Sequence, residues 1–285
     1  MVENERGILI VSFGTSIPKI LKSCIESTEN SIKNAFKSYE VRRAFTSHMI
    51  IDKLKKDYNL SIDTVEEALE EMELDGFREV YIQPLHIIPG DEYDKLVASS
   101  CKYSSRFESL VIGRPVLYRQ NDYRIAVKAL RTQIQKYCSH GSAIILMGHG
   151  SSHPINASYS MLQYMLRDEG INNAYIATVE GYPALENVIP QLEAKNVEKV
   201  MLMPFMLVAG NHAFEDMAGS LPDSWKNILE REGFDVKCYM HGLGENPCFH
   251  SIYIQHLKDS INGNPLMKED SYPEAAIDSI RGNEK

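Results

Sequence analysis

The chain of 285 residues is 44% hydrophobic and has a net charge of −9, from 30 Lys and Arg against 39 Asp and Glu. This apolar content supports a full core and excludes a disordered chain, and the acidic balance without a basic cluster argues against nucleic acid as a partner. The five scattered cysteines form no CxxC pair, and no segment reaches the ~20 apolar residues of a membrane helix. We therefore expect a soluble, cytoplasmic protein without a membrane partner.

The first half alternates short apolar runs with amphipathic stretches. Strands are predicted near 7–12, 40–44, 78–83 and 109–114. Helices are predicted near 16–37, 47–58, 64–75, 91–103 and 121–138. Thr64 and Glu67 form a capping-box pattern at the start of the third helix. Strands that alternate with helices indicate βαβ units and a parallel sheet.

The second half repeats this scheme. Strands are predicted near 142–147, 173–179, 198–203 and 235–240. Helices are predicted near 154–168, 184–194, 212–219, 223–232 and 247–261. Asn246 is the expected N-cap of the last helix, and Pro247 occupies its first turn. After Asn262 the sequence becomes polar and loses its periodicity, which predicts a flexible tail or a loosely packed strap.

Two internal matches indicate a duplicated unit of roughly 130 residues. ILIVSFGTS at 8–16 aligns with IILMGHGSS at 144–152, and VYIQPLHIIPGDE at 80–92 aligns with VMLMPFMLVAGNH at 200–212. We predict two pseudo-symmetric, doubly wound α/β halves, each with a four-stranded parallel sheet. The expected boundaries are 1–139 and 140–262, followed by a polar tail at 263–285.

Three polar residues directly follow consecutive strands of the second half. His149, Glu180 and His212 lie 31 and 32 residues apart, one βα unit each. Because ligands bind beyond the carboxyl ends of parallel strands, these side chains are expected at one edge of the sheet. Two imidazoles and a carboxylate suit a borderline divalent metal with an exchangeable position. Taken singly, His149 could be a turn residue or a helix-start donor, Glu180 a solvated turn carboxylate and His212 the start of the following helix.

The first half keeps the scaffold but not these side chains. Phe13 stands where His149 does, and Glu92 stands opposite His212. One polar edge and one partly apolar edge suit a flat, amphiphilic ligand in a cleft between the halves. His86 follows a strand and could reach that ligand, although a buried histidine that bonds a backbone carbonyl is an equal alternative.

The motifs SFGTS, RAFTSHMI, LHIIPGDEY, MGHGSSH, VEGYP, PFMLVAGNHAFEDM, DSWK and GLGENP occur in this order. This series resembles the anaerobic sirohydrochlorin cobaltochelatases of the class II chelatase family, from about residue 6 to about residue 260. The resemblance implies two flavodoxin-like halves and insertion of Co2+ into sirohydrochlorin or precorrin-2 in cobalamin synthesis, without a nucleotide. It implies that His149, Glu180 and His212 bind the metal, with His149 also as proton acceptor.

Metal insertion requires exchangeable metal ligands and bases for two pyrrole N–H protons, which imidazole and carboxylate supply. The macrocycle is expected to lie over the second-half edge, with Ser12, Phe13, Thr15, His86 and Glu92 on the opposite wall. Arg42, Arg43, Lys95 and backbone N–H groups are candidate contacts for its carboxylates.

Several alternatives stay open at this point. An iron or nickel chelatase would use the same residues, because affinity follows the Irving–Williams order more than biological need. A zinc-dependent hydrolase would use them to activate water. A non-catalytic tetrapyrrole or metal carrier would bind without accelerating insertion. The sequence also leaves open whether the chain forms a homo-oligomer.

Overall fold

The structure is a computed structural model, and it describes residues 5–263. Its strands are β1 (Arg6–Ser12), β2 (Glu40–Phe45), β3 (Asp63–Thr64), β4 (Glu79–Pro84), β5 (Ser109–Ile112), β6 (Ser142–Gly150), β7 (Ala174–Glu180), β8 (Lys199–Pro204) and β9 (Asp235–Cys238). Its α-helices are α1 (Pro18–Ile20), α2 (Ser27–Ala35), α3 (His48–Tyr58), α4 (Val65–Leu74), α5 (Asp91–Cys101), α6 (Gln120–Ile134), α7 (Ala157–Asp168), α8 (Leu185–Glu193), α9 (Trp225–Arg231) and α10 (Pro247–Ile261). The tail expected at 263–285 lies outside the described residues apart from its first position.

The chain forms two compact units. Unit 1 contains the residues up to Gln120 and those from Asn246 onward, and unit 2 contains Asn121–Glu245. The linear halves 1–139 and 140–262 therefore differ from the units in the placement of α6 and α10. Amphipathic periodicity reveals that a helix buries one face, but it does not reveal which sheet that face meets.

The sheet of unit 1 is parallel, with the strand order β3-β2-β1-β4-β5. The prediction of four strands was wrong for this unit, because Asp63–Thr64 pairs with Ala44 and Phe45 as an additional edge strand. Two residues are too few to show the alternation by which strands are recognised in a sequence. The capping box is confirmed, since the Glu67 backbone N–H donates to Thr64 Oγ1 at 3.2 Å and the Thr64 backbone N–H donates to Glu67 Oε2 at 2.8 Å.

One face of the unit 1 sheet packs against α4 and α5. Leu9 and Val11 of β1 and Val80 and Ile82 of β4 are fully buried in this core, which also contains Leu69 of α4. Alternate residues of the two strands point to the same face because the side-chain period of a strand is two. Burial of these apolar groups positions the carboxyl ends of β1 and β4 side by side.

Helix α10 covers the other side of unit 1, where it packs against α2, β4 and β5. Its predicted start is confirmed, because Asn246 Oδ1 accepts from the Cys248 backbone N–H at 3.0 Å. Tyr253 Oη donates to the Leu85 carbonyl at 3.0 Å, and Arg114 forms a buried ion pair with Asp259 at 2.7 Å. A buried ion pair is costly to break, so it ties α10 specifically to this unit.

The sheet of unit 2 has the strand order β7-β6-β8-β9, again parallel, and confirms the expected four strands. Its central strands β6 and β8 occupy the positions of β1 and β4 in unit 1, which agrees with the internal repeat. The helix predicted at 212–219 is a single π-helical turn, Ala213–Met217. Within the part of the chain that the structure describes, no helix combines the length and the apolar character needed to span a membrane.

Candidate metal and substrate site

The end of β6 places His149 beside the end of β7. Gly150 is paired in register with Glu180, the last residue of β7. Gly150 has a φ of +83°, and a Cβ atom there would lie 1.6 Å from the Glu180 carbonyl oxygen. Glycine alone permits this close approach of the two strands. His149 and Glu180 therefore share the carboxyl edge of the unit 2 sheet, as the sequence predicts.

His212 joins His149 at this edge. It immediately precedes the π-helical turn Ala213–Met217, and π-helical turns recur at functional sites. The centroids of the His149 and His212 rings are 4.7 Å apart, and the ring planes are nearly perpendicular at 89°. The structure thus brings together two imidazoles that lie 63 positions apart in the sequence.

Hydrogen bonds define which nitrogen each imidazole presents. His149 Nδ1 lies 2.9 Å from the Gly150 carbonyl oxygen, and His212 Nδ1 lies 2.5 Å from Asp216 Oδ2. A carbonyl or a carboxylate can only accept, so each Nδ1 carries the hydrogen and each neutral ring keeps the lone pair on Nε2. Metal-binding histidines have this arrangement, in which the second nitrogen donates to an oxygen.

Glu180 is exposed at the end of β7. Among residues 5–263, no three His, Cys, Asp or Glu side chains are already grouped in an arrangement that could hold a metal ion. The backbone register places Glu180 next to the imidazole pair without closing a ligand set around one point. The assignment of His149, Glu180 and His212 as a metal-binding trio thus stays a prediction.

Asn156 connects the loops that follow β6 and β7. Its Oδ1 accepts from the Ser151 backbone N–H at 3.0 Å, and its Nδ2 donates to the Tyr182 carbonyl at 2.6 Å. Thr178 Oγ1 also donates to the Pro183 carbonyl, which fastens the second loop to its own strand. Sequence reasoning missed Asn156 because its partners are backbone groups, one of which, the Tyr182 carbonyl, lies 26 positions away.

Sequence reasoning also missed Asp216. It lies four positions after His212 in HAFED, a spacing that brings two side chains to one side of a helical turn. That spacing was the available signal for a residue that supports the imidazole.

The unit 1 residues predicted to contact substrate surround the carboxyl end of β1. Ser12 ends the strand and is buried, whereas Phe13 is 45% exposed. Thr15 is buried, and its Oγ1 accepts from the Ile17 backbone N–H at 3.4 Å. Within residues 5–263, Ser12 Oγ has no hydrogen-bond partner. Phe13 is thus the side chain of this group that is presented to solvent.

His86 and Glu92 lie at the corresponding end of β4. Both ring nitrogens of His86 are shielded from solvent and have no hydrogen-bond partner in the described part of the chain. The alternative in which this ring bonds a backbone carbonyl is therefore not observed. Burial lowers the pKa of His86 to about 4, against a smaller opposing effect of the Glu92 charge. Glu92 accepts from Thr46 Oγ1 at 2.8 Å and from Lys95 Nζ at 2.7 Å.

Comparison with known proteins identifies the relatives of this chain. Residues 6–262 match the sequence profile of the family described as cobalt chelatase (CbiK). The chain belongs to the CbiK family. This CbiK-family chain is 37% identical over 258 residues to a sirohydrochlorin cobaltochelatase of Salmonella typhimurium, with 90% of this chain and 97% of that protein covered.

Two further comparisons agree. The chain is 32% identical to sirohydrochlorin cobaltochelatase CbiKC of Nitratidesulfovibrio vulgaris, with 90% of this chain and 91% of that protein covered. The solved structure of SirB from Bacillus subtilis with Fe3+ has a TM-score of 0.65 at 15% identity and covers 91% of this chain and 97% of its own. The SirB likeness supports the α/β fold of this CbiK chain.

The basic residues that the sequence suggests as carboxylate contacts are already paired in this CbiK chain. Arg43 Nη2 contacts Glu29 Oε2 at 2.5 Å, and Arg42 Nη2 contacts Asp75 Oδ2 at 2.5 Å. Hydrogen bonds to these carboxylates raise the pKa of both arginines despite partial burial. Lys95 pairs with Glu92. These three cations are therefore poorly available for an anionic ligand.

Proposed function

We propose that this chain inserts Co2+ into sirohydrochlorin, the activity that the names of its two relatives state. The observation that carries the proposal is the pair of imidazoles at the β6 edge. Both rings hold Nδ1–H against an oxygen, so each keeps a lone pair on Nε2, and the two ring centroids are 4.7 Å apart. Nitrogen ligands of this kind suit a borderline cation that has to be released again.

Glu180 completes the proposed ligand set. Its carboxylate would lower the electrostatic cost of holding a dication beside two neutral rings. Because it is exposed at the end of β7, it can turn toward the imidazoles without disturbing the core. A set that closes only when the metal arrives favours exchange over permanent retention, as insertion into a macrocycle demands.

Proton transfer is the second requirement of the reaction. Insertion of Co2+ displaces two pyrrole protons, and the metal forms bonds to the nitrogens that lose them. The Nε2 lone pair of His149 is the proposed acceptor, because it can take a proton once the metal has passed from it to the macrocycle. Solvent removes that proton before the second transfer, since His149 is exposed.

The residues at the carboxyl ends of β1 and β4 in unit 1 are also proposed to contact the macrocycle. Phe13 offers an exposed aromatic face, and Ser12, Thr15, His86 and Glu92 carry polar groups at the carboxyl ends of β1 and β4. With Arg42, Arg43 and Lys95 paired, backbone N–H groups at helix starts are the proposed donors to the carboxylates of the substrate. Five cysteines, none in a disulfide among the described residues, agree with the reducing cytoplasm that we propose as the location of the chain.

The proposal is tested by following sirohydrochlorin absorbance anaerobically with Co2+ and catalytic amounts of protein. Wild type should accelerate metallation, and His149→Ala should lose at least about 100-fold in rate because both the ligand and the base are removed. His241→Ala, which changes another exposed histidine of unit 2, should metallate like wild type.

Other outcomes would contradict the proposal in distinct ways. A stoichiometric spectral shift without acceleration would indicate a carrier, and the absence of any spectral response would favour a zinc hydrolase. Faster insertion of Fe2+ or Ni2+ than of Co2+, measured in parallel, would reassign the metal. Full activity of His149→Ala would remove His149 from the mechanism.

A further inference from the structure

Asp216 carries a carboxylate that contacts one of the proposed metal ligands directly. Its Oδ2 lies 2.5 Å from His212 Nδ1, across a single π-helical turn. We propose that Asp216 is a positioning residue that makes His212 the stronger metal ligand of the imidazole pair, the one that releases the metal last. This inference rests on the proposed function, because it takes His212 as a ligand of the substrate metal.

The hydrogen bond selects one tautomer of His212. A free neutral imidazole distributes its hydrogen between the two nitrogens, and only the form with hydrogen on Nδ1 can bind a metal through Nε2. The ionised carboxylate accepts and cannot donate, so it selects that form and fixes the rotation of the ring. The ring is therefore ready for the metal before the metal binds, and no tautomer change is needed on binding.

Stability does not account for this pair. The His212 side chain is 39% exposed and the Asp216 side chain is 44% exposed. Pairs with this much solvent contact contribute only about 0–1 kcal/mol to folding. A short, oriented contact that contributes little to folding is better explained by its effect on His212 Nε2, which keeps its lone pair for a metal.

The two imidazoles are supported differently. His149 Nδ1 donates to the neutral carbonyl of Gly150, whereas His212 Nδ1 donates to a carboxylate. The negative charge of Asp216 favours a cation at His212 Nε2 more than a carbonyl dipole favours one at His149 Nε2. His212 accordingly holds the metal until the macrocycle takes it, whereas His149 releases the metal first and becomes free to accept a pyrrole proton.

The chain contains a matched control. His241 Nδ1 lies 2.7 Å from Glu245 Oε2, again a histidine and a carboxylate four positions apart in unit 2. This second pair is not at the ends of β6 and β7. The pair follows β9, so it samples the same sheet edge, and Glu245→Gln changes the same kind of contact without touching His149, Glu180 or His212.

The experiment measures Co2+ binding to the metal-free full-length protein by calorimetry, without macrocycle. Asp216→Asn should weaken Co2+ binding about 10- to 100-fold, since an amide is uncharged and can support either tautomer. Glu245→Gln should leave the Co2+ affinity unchanged. His212→Ala removes the ligand itself and therefore measures how much Co2+ affinity the ring contributes. Combining Asp216→Asn with His212→Ala should add no further loss, because both changes act through one ring.

The tautomer is read separately by 15N NMR of the imidazoles. Wild-type His212 should show hydrogen on Nδ1, and Asp216→Asn should show a mixture of the two tautomers while His241 is unchanged. Wild-type Co2+ affinity in Asp216→Asn, together with weakened binding in His212→Ala, would overturn the role of Asp216 and leave the proposed function standing. Unchanged affinity in His212→Ala would overturn both the ligand assignment and this inference.

Discussion

Gly150 illustrates how one residue sets the geometry of the site. Its φ is left-handed, and a side chain has no room there because its Cβ would lie 1.6 Å from the Glu180 carbonyl oxygen. Gly150→Ala should therefore cost about 2–5 kcal/mol of unfolding free energy, from the left-handed backbone and from steric overlap. Urea unfolding followed by Trp225 fluorescence reports the effect, because this single tryptophan lies in unit 2.

Gly170→Ala is the matched control for that substitution. Gly170 also has a positive φ of +76°, but a Cβ there would meet nothing within 4 Å. Gly170→Ala should therefore lower the free energy of unfolding only by the backbone contribution, about 1–2 kcal/mol. Equal losses in the two variants would show that the close approach of β6 and β7 carries no additional cost.

At the scale of elements, Asn156 determines how the loops after β6 and β7 are held. Asn156→Ala removes both of its hydrogen bonds and should lower stability by about 1–2 kcal/mol. Because those loops carry the segments next to His149 and Glu180, Co2+ affinity should also fall, by about 10-fold. Calorimetric titration of the metal-free protein with Co2+ checks this expectation.

Asn227 provides the comparison for Asn156. Its Nδ2 donates to the carbonyls of Gly219 and Leu221, so it too connects loop segments of unit 2. Asn227→Ala should cost similar stability and leave Co2+ affinity unchanged. Loss of affinity in both variants would mean that general loosening of unit 2, and not the loop bridge, weakens metal binding.

Elements were predictable from the sequence where a local pattern was long enough. Helices such as α4 and α10 were recognised from caps and apolar spacing, and β1 and β6 from continuous apolar runs. Strand β3 was not, because two residues carry no period. The strand-end positions of His149 and Glu180 followed from chain order in a parallel sheet, and His212 lies eight residues beyond the end of β8. Asp216 and Asn156 depend on side-chain contacts that only the folded chain reveals.

At the scale of the whole molecule, buried His86 links folding to pH. Burial lowers the pKa of His86 to about 4 from 6.5, and Glu92 is the charged group that faces it. Between these values the unfolded chain binds a proton that the folded chain does not, so the free energy of unfolding should fall as the pH falls from about 6.5 to about 4. Replacement by Leu, which cannot be protonated, should flatten this dependence.

Denaturant unfolding followed by far-UV circular dichroism at several pH values measures that slope. Circular dichroism is preferred to Trp225 fluorescence because Trp225 reports the unfolding of unit 2, whereas His86 belongs to unit 1. His241→Gln, a change at an exposed histidine, should retain the wild-type pH dependence. An unchanged slope in His86→Leu would show that other groups titrate over this range.

The division of the chain into units also determines the order in which they can be completed during synthesis. Unit 2 is one continuous segment, Asn121–Glu245, whereas unit 1 needs α10, which follows that segment. Until α10 emerges from the ribosome, the surfaces of α2, β4 and β5 that it covers are exposed to non-native association. The unit that the ribosome begins first is therefore the one that it completes last.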